Sequence, residues 1–136
     1  MANGYRSLGI PTSTTCGGTV DFGYTASSVT QGVFTAAYPV IVTQIYGRPT
    51  VAGTGGACSL SFYKAPSGVA MASGTLLHSS SFDLTGTINV NQELSANLVT
   101  NQASLTLNEG DSLGYVLTGT PTSAVGHVTI AFEPLN

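Results

Sequence analysis

Apolar residues recur at every second position in several short windows, and that period predicts strands with one buried face. Val20, Phe22 and Tyr24 alternate with Asp21, Gly23 and Thr25, and Cys58, Leu60 and Phe62 alternate with Ser59, Ser61 and Tyr63. Near the C-terminus Val128, Ile130 and Phe132 form one inward face, with His127, Thr129 and Ala131 between them. Val40 to Tyr46 is β-branched and aromatic, follows Pro39, and is closed by Gly47-Arg48-Pro49. Ser104 to Leu107 and Ser112 to Thr118 flank a turn at Asn108-Glu-Gly-Asp111, with Leu105 and Leu107 facing one way. Shorter candidate strands lie at Thr75 to Ser79, Thr87 to Asn91 and Leu94 to Val99, the last of which also suits a helical turn. Gln31 to Tyr38 fits a strand or a short helix, because Val33, Phe34 and Ala37 could share a helical face. Val51 to Gly56 reads as a flexible connection and Ala65-Pro-Ser-Gly68 as a reverse turn.

These windows amount to about eight short strands, punctuated by turn signals roughly every ten residues, with no helical period. The expected fold is all-β: a single jelly-roll-like β-sandwich, which the longer connections favour over a meander. Residues 1 to 18 carry Gly4, Gly9, Pro11, Gly17 and Gly18 without any period, and predict an extended N-terminal arm ahead of a sandwich domain over 19–136.

Composition narrows the function. A chain of 136 residues with 42% apolar content can bury one sizeable core. Only 7% of its residues are charged, against about 25% in an ordinary soluble domain. The net charge of -3, with Arg6, Arg48 and Lys64 as the only Lys or Arg, argues against a nucleic-acid partner held through phosphates. No apolar run approaches the length of a membrane span, and no hydrophobic segment of a secretory signal follows Arg6. Synthesis and use in the cytosol, with Cys16 and Cys58 as thiols, is therefore expected. Spread over roughly 6,600 Å² of surface, the charges lie about 27 Å apart, some three Debye lengths at physiological salt. Repulsion does little to keep copies separate, so association is expected.

The residues offer no catalytic signature, and neither an enzyme nor a cofactor is expected. His78 and His127 lack any metal-ligand spacing and are assigned solvent-facing slots. Glu109 and Asp111 serve their turn, Asp111 by accepting backbone hydrogen bonds and Gly110 by taking positive φ. No serine sits in a nucleophile elbow, and Gly53-Thr-Gly-Gly56 lacks the Lys and helix of a phosphate loop. Among six tyrosines most are expected in the core or an interface, while Tyr63, with Lys64 next to the Pro-Gly turn, is expected to be exposed as a contact. In the arm, Tyr5, Leu8 and Ile10, flanked by Arg6, are expected to contact a partner, because a solvated tail has no need of them.

Pro39-Val-Ile-Val42, Val51-Ala-Gly-Thr-Gly-Gly56, Phe62-Tyr-Lys-Ala-Pro-Ser-Gly68, Ser73-Gly-Thr-Leu-Leu77 and Leu105-Thr-Leu-Asn-Glu-Gly-Asp-Ser-Leu-Gly114 set the style of the chain. The layout from Tyr38 to Glu133 resembles small decoration, cement or head-fibre proteins of tailed bacteriophages. That resemblance implies a compact sandwich, often trimeric, which sits on the capsid exterior, binds the major capsid protein and reinforces the shell without chemistry. A carbohydrate-binding module or fibre-tip adhesin, and a tail or baseplate subunit, are the alternatives.

Overall fold

In the computed structural model, which describes residues 18–25, 30–85, 87–93, 97–119 and 121–135, strands pair into two antiparallel sheets. The long ones are β1 (Gly18–Thr25), β2 (Thr30–Thr35), β3 (Val40–Val51), β4 (Ser59–Ala65), β9 (Ser112–Thr118) and β10 (Val125–Pro134). Four have two residues each: β5 (Thr75–Leu76), β6 (Phe82–Asp83), β7 (Gln92–Glu93) and β8 (Thr106–Leu107). One sheet runs β1-β10-β3, with β7 and β8 sharing the far edge of β3; the other runs β2-β9-β4, with β5 and β6 sharing the far edge of β4. Counted by position, eight strands divide four to each sheet, and every connection crosses between sheets except the one from β4 to β5 and β6, which is the jelly roll.

Aromatic rings join the layers. Phe22 of β1 stacks on Tyr115 of β9 at 5.4 Å and meets Phe62 of β4 edge-on at 6.4 Å. Tyr24 meets Phe82 edge-on at 5.8 Å. A Cβ at Gly47 would sit 2.4 Å from the Phe82 ring, so glycine lets that ring close onto β3. Around these rings Leu60, Leu113, Val128 and Ile130 are buried as their alternation requires, and Val42 and Ile45 are both buried because β3 shifts phase between them, where Val42 and Gln44 face the successive residues Phe132 and Ala131. Phe132 keeps the expected inward face, packed against the core and stacked on Phe34 of the other sheet at 5.4 Å, but it is half-buried, near the end of the sheet where a register shift places Ala131 opposite Gln44 and Phe132 opposite Val42.

Several local expectations are corrected. Gly47-Arg48-Pro49 does not close β3, which continues to Val51. Asn89 N–H donates to the Pro49 carbonyl at 2.7 Å, on the edge away from β10. In a strand the N and O of one residue point the same way, so the donor Pro49 lacks removes no β3–β10 bond. The ambiguous segment is a strand, β2, with an irregularity between Gly32 and Phe34 that leaves Val33 and Phe34 both half-buried. The connection 51–56 is pinned: Gly53 N donates to Leu84 O and Thr122 N to Thr54 O, each at 2.8 Å. Thr87 to Asn91 is a turn with Asn89 at φ 62°, a conformation asparagine tolerates. Of Thr75 to Ser79 only Thr75–Leu76 is strand, and of Leu94 to Val99 residues 94–96 lie outside the described set while Leu98 makes one bridge to His78. Ser104 and Leu105 belong to a one-turn helix, α1 (Gln102–Leu105), because the Asn101 side chain caps Ala103 N at 3.0 Å.

Candidate functional site

The arm contacts Tyr5, Arg6, Leu8 and Ile10, like Cys16 and most of the arm itself, lie outside the described residues. Tyr63 and Lys64 are half-buried, not fully exposed. Lys64 shares the inward parity of Leu60 and Phe62 but runs its stem out between the layers. Its Nζ donates at 2.5 Å to the carbonyls of Ala103 in α1 and of Thr106 in β8, tying one sheet to the other. Among the described residues the exposed aromatic is Tyr38, 53% accessible in the bend before β3. Its place beside Pro39, where the chain turns, was the available signal.

His127 is exposed, as alternation requires, but His78 is buried, against expectation. Leu77 N donates to Phe62 O at 3.0 Å, and the His78 ring then turns inward so that Nε2 accepts from Phe62 N–H at 2.9 Å. The imidazole thus fills the gap that β5 and β6 leave along the edge of β4, and satisfies a backbone donor that would otherwise be orphaned. Its Nδ1 therefore carries the proton of the neutral ring; it has no hydrogen-bond partner, although the Ser80 backbone lies near enough to favour protonation. Burial outweighs that and lowers the His78 pKa. Protonation would also make Nε2 a donor facing a donor. The unfolded chain therefore binds a proton below about pH 6.5 that the native state refuses, so this contribution to stability is full above that pH and shrinks as pH falls toward the lowered native value. Urea midpoints should drop between about pH 7.5 and about pH 5.5, and His78→Gln, which keeps an acceptor for Phe62, should remove that part of the drop. An equal drop in the variant would assign the dependence to other groups.

Two more polar groups lie in the core. Burial, aided by the Cys58 thiol, pushes the Tyr24 phenol up to about 12, and its hydroxyl has no hydrogen-bond partner. Burial first, and Asp83 second, raise the Cys58 pKa, which keeps this free thiol protonated and unreactive. The acidic turn behaves as expected: Asn108 N donates to Asp111 Oδ2 at 2.9 Å, Gly110 has φ 91°, and Gly110 N donates to Ala36 O at 2.8 Å. Among the described residues no three His, Cys, Asp or Glu side chains gather as a metal site, and no helix is long and apolar enough to cross a membrane.

What the surface offers instead is apolar ends. Val51 and Val125 are cross-strand partners on β3 and β10, 45% and 41% accessible. Ile88 and Val90, also exposed, flank Asn89, whose bond to Pro49 holds the turn at this same end. At the opposite end Leu135 N donates to Pro39 O at 2.9 Å, which places exposed Leu135 by exposed Tyr38. Single-sequence periodicity misses such clusters because the first draws its members from three separate segments and the second from two.

Neither a protein-family model nor a curated protein matches the chain. A structure of Bacillus endospore appendages, disulfide-linked pili, aligns over 89% of both chains at 16% identity with a TM-score of 0.35. Structures of infectious bursal disease virus, Gx and Gt strains, align over 90% of this chain at 16% and 13% identity, with TM-scores of 0.36 and 0.37. This chain spans 36% and 38% of those viral chains. Similarity this low carries no function across.

Proposed function

We propose that the chain is a non-enzymatic structural subunit of a virion, a decoration protein that binds the major capsid protein on the exterior of the assembled capsid and stabilises it. The observation that supports this reading is the end formed by Val51, Val125, Ile88 and Val90. Exposed apolar side chains gathered at one end mark a surface that is covered in use, and the scarce charge of the chain raises little electrostatic barrier to close neighbours. A second apolar end, at Tyr38 and Leu135, allows one copy to touch two others or a copy and the shell. Homotrimers on a repeating lattice need only modest affinity per contact, because each attachment raises the effective concentration of the next. Sedimentation of the full-length chain at micromolar concentration, alone and with undecorated capsids, tests this. A trimer that pellets with the particles is expected; a monomer that stays in the supernatant overturns it.

A further inference from the structure

The outer face of the β1-β10-β3 sheet brings charged, aromatic and hydroxyl side chains together. Register places Gly23, His127 and Arg48 side by side in one row, and Asp21, Thr129 and Tyr46 in the next, about 7 Å along the strands. Both rows point outward, since Gly126, Val128 and Ile130 between them are buried. A depression of about 290 Å³ opens here, lined by Tyr46, Gly47, Arg48, Asn91, His127 and Thr129. That is close to the lower end of small-molecule sites, about 300 Å³.

Two features ask for a ligand. Arg48 is one of only three Lys or Arg residues, and it stands directly across from His127. Two basic groups in opposed positions repel whenever the imidazole is charged. Among the described residues neither has an ion pair or side-chain hydrogen bond to relieve this. A carboxylate would, because the guanidinium fork takes one in bidentate fashion. The neighbouring row defines the rest of the ligand. Asp21 accepts the Thr129 hydroxyl at 2.5 Å; a carboxylate there disfavours a phosphate dianion but accepts hydroxyl groups well. Tyr46 offers a ring face to C–H groups and Asn91 an amide that both donates and accepts.

We infer that this depression binds an acidic saccharide, with the sugar carboxylate on Arg48 and His127, its hydroxyls on Asn91 and Thr129, and its ring against Tyr46. The site is open, so it takes one unit of a chain that continues past it, weakly at each copy and strongly across an assembly. It is independent of capsid attachment.

The test is an array of uronate-containing, sialylated and neutral oligosaccharides probed with the full-length chain, followed by titration of the best carboxylated glycan, its methyl ester and inorganic phosphate. Carboxylated glycans should be retained and the ester should bind at least fivefold more weakly. Arg48→Ala, an exposed position, should lose at least fivefold while still pelleting with capsids. Retention of no carboxylated glycan, equal binding of the ester, or unchanged binding by Arg48→Ala would overturn the inference. So would phosphate binding as tightly as the glycan, which would leave an anion patch only.

Discussion

Phe62→Ala should lower unfolding stability by about 3–5 kcal/mol, a large part of the 5–15 kcal/mol typical of a domain. Phe62 is fully buried and stands where both sheets meet. Its ring is edge-on to Phe22 at 6.4 Å and to His78 at 5.7 Å. Truncation therefore opens a cavity lined by aromatic rings that strand pairing on both sides holds apart, so little collapse can fill it. The backbone of Phe62 keeps its bonds to Leu77 and His78, which confines the loss to the side chain. Phe132→Ala provides the comparison. Phe132 is half-buried at the register shift, and its truncation should cost clearly less. Equal losses for the two, or a loss under about 1 kcal/mol for Phe62→Ala, would remove the inter-sheet aromatic cluster from its central place in the core.

What could be read from the sequence divides along physical lines. Strands that bury one face show their period, so Val20 to Tyr24, Cys58 to Phe62 and Val128 to Ile130 point inward as alternation demands. The turn at Asn108 to Asp111 was equally legible, because its chemistry is local: an Asp side chain, a Gly at positive φ and nothing from elsewhere. Non-local partners decided the rest. Pro49 looks like a stop until its missing donor is seen to face the outer edge, past the β7 pairing, where Asn89 needs only its carbonyl. Leu77 and His78 are buried in succession, which no period-two pattern permits, since His78 leaves the alternation to serve Phe62 across sixteen residues. The outer-face site depends on β10 lying between β1 and β3, a pairing that joins positions more than a hundred residues apart. Arg48 and His127 each look like isolated solvated residues until that register is known.

Deleting residues 1–17 should leave a folded, soluble sandwich with nearly unchanged melting while weakening attachment to capsids or neighbouring subunits at least tenfold, about 1.4 kcal/mol. The chain would then start at Gly18, the first residue of β1, and every pairing of β1 with β10 from Gly18↔Phe132 to Thr25↔Val125 would be kept. Gly18 lies opposite Phe132, which lies opposite Val42, so β1 begins at the end that carries Tyr38 and Leu135. Tyr5, Leu8 and Ile10 could extend that apolar end onto a partner, as a strand added to an edge or a segment laid in a groove. Two such side chains buried on a partner supply more than the tenfold loss requires even after the cost of ordering the segment. Quantitative co-sedimentation of both forms, with parallel melting curves, separates the outcomes. Full affinity in the truncated chain would reduce the arm to a tail. A collapse in melting temperature would make it part of the core, and the domain would then begin well before Gly18.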